Sequence, residues 1–121
     1  MGCLFMVTER DRNVLNKILH YCENINEAIC KFNIKLDDLY EDEYSLAMLG
    51  MFVQQIGETT KGLTQGFRES HPEKKWHEII GMRNVFAHEY QSLDVDIVID
   101  SLKNDIPSLK EYCEKILADN C

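Results

Sequence analysis

The sequence predicts an all-α protein, an up-and-down bundle of four or five helices formed by one domain over residues 1–121. Apolar residues recur at steps of three or four along most of the chain, which is the periodicity of amphipathic helices. The only prolines are Pro72 and Pro107, and no Gly/Ser-rich linker or internal repeat divides the chain. With 121 residues and a 45% hydrophobic fraction, the chain can bury one core but not two.

The first helix is predicted over about residues 9–32. Thr8 followed by Asp11 forms an imperfect capping box, which marks a helix start. The apolar stripe that follows consists of Val14, Ile18, Cys22, Ile25, Ile29 and Phe32.

The second helix is predicted over about residues 42–67, after an interruption at Asn33 and Asp37-Asp38. Its stripe steps by three or four throughout. Each glycine inside a helix costs up to about 1 kcal/mol relative to alanine, so the glycines here need a reason. We expect them to allow close backbone approach or to mark a bend, with a direct functional role as the alternative. The stripe is Leu49, Phe52, Ile56, Thr60, Leu63 and Phe67, and the glycines are Gly50, Gly57, Gly62 and Gly66.

A third helix is predicted to begin at about residue 73, after the turn Ser70-His71-Pro72. Glu73 would then lie favourably near the positive end of the helix dipole. The side chains expected to share one side of this helix are Trp76, Ile79 or Ile80, Arg83 and Ala87.

Residues 93–100 are ambiguous, because apolar residues alternate with aspartates there as in a half-buried strand. A longer pattern with steps of three or four favours helix, and a lone strand would have no pairing partner. Pro107 suits the first turn of a helix capped by Asn104 or Asp105. The sequence therefore predicts a short helix over about residues 94–103 and a last one over about 105–118.

Composition restricts the classes of function. No apolar run reaches the roughly 18 residues of a membrane helix and no signal peptide is recognisable, so a cytoplasmic protein without membrane association is expected. The five cysteines form no C-x-x-C pair and no zinc spacing, and Cys22, Cys30 and Cys113 are predicted to be small buried apolar residues in a reduced compartment. The net charge of −8 argues against a general nucleic-acid coat protein.

Charge is unevenly distributed, which leaves room for local RNA contact. Residues 61–90 carry five lysines and arginines against four glutamates, so this segment is near +1 and the remainder near −9. Three of the four histidines, His71, His77 and His88, lie in the same segment. An RNA contact should therefore be confined to this part of the chain, while acidic surfaces suit solubility or a basic protein partner.

The octapeptide Arg83-Asn84-Val85-Phe86-Ala87-His88-Glu89-Tyr90 carries the candidate chemistry. Arginine offers a planar set of donors that fits phosphate oxygens, and histidine exchanges protons near neutral pH. Arg83 and His88 are about 140° apart on a regular helix, however. They can meet at one phosphate only if the helix is distorted between them or if a second copy of the chain contributes its own octapeptide.

Purely structural roles are the alternative for each of these side chains. Arg83 could pair with Glu78, Glu89 or an acid on another helix. His88 could stabilise the C-terminus of a helix as a cation, and Tyr90 could be a buried aromatic residue. Spacing alone favours these structural roles.

The octapeptide resembles the R-x4-H-x-Y motif of HepT-type toxins in the HEPN superfamily, which are helical ribonucleases partnered by minimal nucleotidyltransferase antitoxins. The resemblance extends over about residues 8–118 and makes a functional site the favoured interpretation. Further segments that resemble the family in order and spacing are Ile56-Gly57-Glu58, His71-Pro72 with Trp76, Gly81-Met82-Arg83-Asn84, Asp94-Val95-Asp96 and Ile106-Pro107-Ser108-Leu109.

The resemblance implies an HEPN-like fold and a metal-independent endoribonuclease that needs no cofactor and acts as a homodimer or in a higher assembly with its antitoxin. It implies that Arg83 and His88 are the catalytic pair and that Asn84 supports their arrangement. Tyr90 matches the position that the antitoxin modifies with adenylyl groups, which would inactivate the toxin. Glu58 matches an acidic residue typical of the family, whose role stays open between a structural salt bridge and catalysis.

Those residue types fit a mechanism in which the RNA 2′-hydroxyl attacks the adjacent phosphorus, His88 moves the proton and Arg83 stabilises the developing charge. A different class of function stays open beside it. The chain could be a catalytically inactive helical dimer that serves as a binding subunit for a nucleotidyltransferase. A third, weaker possibility is a nucleotide-binding module in which Arg83 only holds a phosphate.

Overall fold

The structure, a computed structural model, describes residues 7–84 and 95–119. These residues form α-helices joined by short 3-10 and π segments, and no β-strand occurs among them, which confirms the predicted all-α class. The α-helices are α1 (Glu9–Lys31), α2 (Glu43–Thr60), α3 (Gln65–Ser70), α4 (Trp76–Gly81), α5 (Val95–Asp100) and α6 (Ile106–Asp119). The other helical segments are 3-10 turns at Leu36–Tyr40 and Met82–Asn84 and a π-helix at Ser101–Asp105.

Helix α1 packs against α2 and α6, and α2 also packs against α4 and the 3-10 turn that follows α4. The bounds and the start of α1 agree with the sequence, since the Thr8 side chain caps the helix by accepting the backbone N–H of Asp11. The helix ends before Asn33, whose φ of 52° lies in the left-handed region. The residues that α1 buries are Asp11, Leu15, Ile18, Cys22, Ile25 and Ala28.

The buried carboxylate of Asp11 connects the starts of two helices. Thr8 caps α1 and Thr64 caps α3, each by accepting a backbone N–H three residues later. Asp11 in turn accepts the Thr8 hydroxyl at 2.9 Å, the Thr64 hydroxyl at 2.7 Å and the Thr64 backbone N–H at 2.8 Å. Its side chain is fully buried and its hydrogen-bonding capacity is used, as a buried carboxylate requires.

The prediction of a continuous second helix to residue 67 is wrong, because α2 ends at Thr60 and α3 begins at Gln65. The buried stripe nevertheless continues across the break, since Thr60, Leu63 and Phe67 are all buried. Periodicity alone could not locate the break. It depends on Thr64, which takes an extended conformation to cap α3 and to donate to Asp11 from a position 53 residues away in sequence.

The third predicted helix starts later than expected, at Trp76 instead of residue 73. Residues 72–74 form a turn, and Glu73 accepts a hydrogen bond from the Tyr112 hydroxyl of α6 instead of lying in the first helical turn. The α-helix ends at Gly81 and tightens into the 3-10 turn Met82–Asn84. Arg83 therefore lies in a distorted helix end.

The expected break between the last two helices is also wrong. Helix α5 continues through the π-helix Ser101–Asp105 directly into α6, and the N–H of Ile106 bonds to the carbonyl of Ser101, five residues back. Asn104 does not cap α6, because its side chain donates to Asp100. A π turn lets the chain stay helical up to Pro107, which has no N–H to donate. The predicted helical state of residues 95–100 is confirmed.

The 3-10 turn Leu36–Tyr40, which the sequence did not predict, lies against the continuous helix formed by α5, the π-helix and α6. The Tyr40 hydroxyl donates to Asp96 on α5, and Lys103 of the π-helix bonds Asp37 at 2.7 Å. Leu39 is buried beneath these polar contacts. The turn therefore attaches the segment between α1 and α2 to α5 and to the π-helix.

Two of the three cysteines predicted to be buried are buried, Cys22 on α1 and Cys113 on α6, but Cys30 is exposed near the end of α1. Burial raises the pKa of each buried thiol to about 12. No helix among the described residues is both long and apolar enough to cross a membrane.

Candidate functional site

Arg83 lies in the 3-10 turn Met82–Asn84, where α4 ends and the chain leaves α-helical geometry. Met82 is buried and anchors the turn to the core, whereas Arg83 is half-buried and Asn84 is exposed. The Ile79 and Ile80 carbonyls accept the backbone N–H bonds that cap the end of α4, which tightens the last turn. The side chains of Arg83 and Asn84 are thus presented at the surface from a backbone that is held inside.

Gly57 of α2 is in direct contact with the backbone of this turn. A Cβ atom at Gly57 would lie 2.5 Å from the backbone nitrogen of Arg83 and 3.1 Å from the carbonyl oxygens of Ile79 and Ile80. Real Cβ atoms essentially never approach to 2.5 Å, so a side chain here would force the two segments apart. The prediction that glycine in the second helix allows close backbone approach is confirmed at this position.

Glu58, the next residue of α2, forms an ion pair with Arg83. The Glu58 Oε2 and Arg83 Nη1 atoms are 3.9 Å apart, and the two side chains are 57% and 35% exposed. The sequence left open an acid on another helix as a partner for Arg83, and Glu58 is such an acid. Glu78, another candidate partner, instead lies 3.9 Å from Lys75. Because the Arg83 pair is exposed and loose, the guanidinium stays accessible from solvent.

The structure places Arg83 and Asn84 but not the other two predicted site residues. His88 and Tyr90 lie outside the described residues, as do Ala87 and Glu89. Their roles therefore stay predictions. The described part shows a 3-10 turn at Arg83 itself, and the residues between Arg83 and His88, where a distortion would let the two side chains converge, lie outside it.

A cleft of about 260 Å³ lies between the α4 region and the start of α6, and Met82 connects it to the turn that carries Arg83. Lys74 bridges the cleft, with its Nζ 2.6 Å from the Ser108 hydroxyl. Burial, together with nearby Asp100, raises the pKa of Asp105. Sequence reasoning missed this cleft, since its two walls are about 30 residues apart in sequence. It is lined by Glu73, Lys74, Lys75, Glu78, Ile79, Met82, Asp105 and Ser108.

An aromatic cluster supports the start of α4 from behind. The His71 ring stacks on Phe67 with centroids 4.1 Å apart, and the Trp76 indole N–H donates to the His71 carbonyl at 2.9 Å. Tyr112 of α6 contacts both His71 and Trp76 edge to face, and its hydroxyl lowers the pKa of Glu73. Of the histidines in the basic segment, His71 is therefore part of the packing, while His77 is exposed on α4.

Comparison with known proteins identifies relatives over most of the chain. A protein of Caldanaerobacter subterraneus named "Putative RNase TTE0752" is 32% identical over 88% of this chain and 93% of its own length. "Probable ribonuclease HepT" of Thermococcus cleftensis is 34% identical over 79% of this chain and 92% of its own length. "Putative RNase MJ1380" of Methanocaldococcus jannaschii is 34% identical over about half of each chain.

No solved structure matches the chain at a significant level. The family model for ribonuclease HepT-like proteins, however, matches residues 12–116, from the first turns of α1 almost to the end of α6. That span includes Gly57, Glu58 and the whole octapeptide that begins at Arg83. The chain therefore belongs to the HepT-like ribonuclease family of the HEPN superfamily.

Proposed function

We propose that this protein is a metal-independent endoribonuclease, the toxin component of a toxin–antitoxin system. The observation that carries the proposal is the accessible Arg83 guanidinium, held by its backbone against Gly57 of α2 in a chain of the HepT-like family. An arginine in this state can bind a phosphate without first being released from a buried ion pair. The names of the relatives, which refer to RNases, support the same substrate class.

In the proposed reaction the RNA 2′-oxygen attacks the adjacent phosphorus while His88 accepts the proton of the 2′-hydroxyl. The bond from phosphorus to the 5′-oxygen breaks, and the departing oxygen takes a proton from solvent or from the histidine of a second copy. Arg83 stabilises the charge that develops on the phosphoryl oxygens, and Asn84 supports the arrangement. The products end in a 2′,3′-cyclic phosphate and a 5′-hydroxyl.

The test compares cleavage of one oligonucleotide sequence as RNA and as DNA, by the wild type and by His88→Ala. The wild type should cleave RNA in the presence of EDTA and leave DNA intact, and His88→Ala should be slower by about 100-fold or more. His77→Ala, which removes an exposed histidine of α4, is the matched control and should cleave like the wild type. Cleavage of DNA, or loss of activity with EDTA, would refute this chemistry.

The active form is proposed to be a homodimer in which two octapeptides share one cleft. Tyr44 and Met51 on α2 are 87% and 52% exposed. Tyr44, Met51 and Glu58 follow one another at intervals of seven residues. Seven residues are nearly two helical turns, so this exposed apolar stripe and the Arg83 ion pair lie on one side of α2. A second copy packed on the stripe would bring its own Arg83 close by.

Substitution of Met51 tests the dimer. Met51→Glu should shift the molar mass measured by light scattering from dimer to monomer and abolish cleavage, because a charge would be buried in the interface. Phe32→Glu, at a residue 58% exposed beyond the end of α1, is the matched control and should stay dimeric and active. A wild-type chain that cleaves RNA as a monomer would contradict the shared cleft.

Regulation is proposed to occur by adenylylation of Tyr90 by a nucleotidyltransferase antitoxin. The added phosphate would place negative charge two residues from His88, where the RNA phosphate must bind. Co-expression with such an enzyme should add the mass of AMP to the wild type but not to Tyr90→Phe, which should stay active. Tyr44→Phe, which removes the very exposed tyrosine of α2, should still be modified. Unchanged inactivation of Tyr90→Phe would disprove this route.

The alternative function, a catalytically inactive binding subunit for a nucleotidyltransferase, makes a different prediction. The wild type and His88→Ala would then bind the enzyme equally and neither would cleave RNA.

A further inference from the structure

Glu58 is a charged residue at the site that has no place in the proposed chemistry. We propose that Glu58 is a positioning residue, whose carboxylate keeps the Arg83 guanidinium oriented at the surface while the guanidinium binds an RNA phosphate. The proposal rests on the ribonuclease function proposed above. It assigns Glu58 to the orientation of Arg83 and not to contact with the reacting atoms.

The backbone contact between α2 and the 3-10 turn fixes both ends of this ion pair. Gly57 lies so close to the backbone nitrogen of Arg83 that even a methyl group would not fit between them. Glu58 follows Gly57 directly in the middle of a helix, so its Cα position is set relative to that of Arg83. The carboxylate can therefore select among the orientations of the long arginine side chain, which otherwise has many rotamers.

The geometry of the ion pair leaves the Arg83 guanidinium free to bind a second anion. The separation of 3.9 Å is longer than the 2.7 Å of Lys103 with Asp37 and the 3.1 Å of Lys110 with Glu114. Glu58 is 57% exposed, and an ion pair in such contact with water contributes little to stability. A tight bidentate pair would occupy the donors of the guanidinium, whereas this loose one leaves most of them available for phosphate oxygens.

The sign of the charge gives the proposal a distinctive signature. A carboxylate beside the scissile phosphate repels RNA, so its removal should not weaken substrate binding. Its removal should instead release Arg83 into unproductive orientations, which lowers the rate of the bound complex. A positioning role therefore predicts a lower kcat with an unchanged or lower KM. A direct contact with RNA would show the opposite pattern, a raised KM.

The experiment measures kcat and KM for RNA cleavage by the full-length wild type, Glu58→Gln, Glu58→Asp and the control Glu114→Gln. Glu114 is 53% exposed in its own ion pair, which matches Glu58 in exposure, and it lies on α6. We expect Glu58→Gln to lower kcat about tenfold without raising KM, and Glu58→Asp to recover part of the loss. Glu114→Gln should match the wild type. Equal melting temperatures would show that folding is retained.

The dependence of kcat on pH separates positioning from proton transfer. Measured between about pH 5 and pH 9, the profile of Glu58→Gln should keep the shape of the wild-type profile at a lower level, because His88 still moves the proton. A lost acid limb would make Glu58 a proton acceptor and overturn the proposal. A raised KM, or a kcat equal to that of the wild type, would overturn it too.

The outcomes also distinguish this proposal from the proposed function. Wild-type cleavage that His88→Ala abolishes and Glu58→Gln leaves unchanged refutes the role of Glu58 alone. A wild type that cleaves no RNA refutes the ribonuclease function and the role of Glu58 with it.

Discussion

A carboxylate lies at the contact of α1 with α3, and another lies at the contact of α2 with the 3-10 turn that follows α4. The two carboxylates differ in burial and in how tightly they bind their partners. Asp11 is fully buried and accepts three hydrogen bonds of 2.7–2.9 Å from Thr8 and Thr64. Glu58 is 57% exposed and lies 3.9 Å from its partner. Near Asp11 polar side chains hold the helices together, whereas near Glu58 backbone packing holds them and leaves the Arg83 side chain free to bind a further partner. The helices are therefore held in place by the Asp11 hydrogen bonds and the Gly57 backbone contact, while Arg83 stays accessible.

The largest effect on stability is expected from substitution of Asp11, the buried carboxylate. Asp11→Ala would remove the charged acceptor of the Thr8 hydroxyl and of both Thr64 donors, and each hydrogen bond to a charged group contributes about 1.5–3 kcal/mol. The free energy of unfolding, measured with urea, should fall by about 3 kcal/mol or more. Asp42→Ala, which removes the partly exposed N-cap of α2, is the control and should cost less. Equal losses would mean that Asp11 is only another cap.

The next largest effect is expected at the backbone contact between Gly57 and the 3-10 turn that carries Arg83. Gly57→Ala should lower the free energy of unfolding by about 1–3 kcal/mol, because the new methyl group overlaps the backbone at Arg83. Displacement of the arginine should also reduce RNA cleavage by the folded protein about 100-fold.

Gly81→Ala is the matched control for that substitution. Gly81 is the last residue of α4, two positions before Arg83, and a Cβ there would meet nothing within 4 Å. This change should leave activity intact and stabilise the protein by at most about 1 kcal/mol. If Gly57→Ala behaves like Gly81→Ala, the close contact does not position the site.

A smaller, pH-dependent effect is expected where α1 packs on α6. Burial raises the pKa of Cys22 and Cys113 from 9.0 to about 12, so above pH 9 the unfolded chain releases thiol protons that the folded chain keeps. Stability is then fully present below pH 9 and is lost as pH rises towards 12. Each thiol contributes a slope of up to about 1.4 kcal/mol per pH unit.

Urea unfolding at pH 7, 9 and 10 measures this slope. The double variant Cys22→Ala/Cys113→Ala should start from a lower stability, because the substitutions leave cavities, but should lose less as the pH rises. A slope identical to that of the wild type would show that the two thiols ionise equally in both states.

The two regions also differ in how far the sequence predicts them. The cap at Thr8 and the bounds of α1 depend on residues a few positions apart, so local pattern was sufficient for them. The predicted stripe of α1 was right at Ile18, Cys22 and Ile25 but wrong at Phe32, which is exposed. The break before Thr64 depends on Asp11, and the close approach at Gly57 depends on a turn 26 residues later. Local pattern carries no information about such pairs, which is why the second helix was predicted too long and the third was predicted to begin too early.

The site shows the same division. The octapeptide and its resemblance to the HepT family predict Arg83 as a site residue, and the structure places it in a 3-10 turn. The distortion predicted between Arg83 and His88 stays a prediction, because residues 85–94 lie outside the described part of the chain. A salt bridge of Glu58 was one of the roles left open, but the sequence did not name Arg83 as its partner, because the two residues lie on different helical segments. The π-helix before Pro107 was missed since an i→i+5 turn has no distinct apolar period.

The most direct test of the account is the rate of RNA cleavage by Arg83→Ala compared with that of Arg68→Ala, a change of another arginine in the basic segment, on α3. Both proteins should fold like the wild type, since Arg83 is partly exposed and its ion pair is loose. We predict a loss of at least about 100-fold for Arg83→Ala and near wild-type cleavage by Arg68→Ala. Wild-type cleavage by Arg83→Ala would contradict the assignment of the site to this turn.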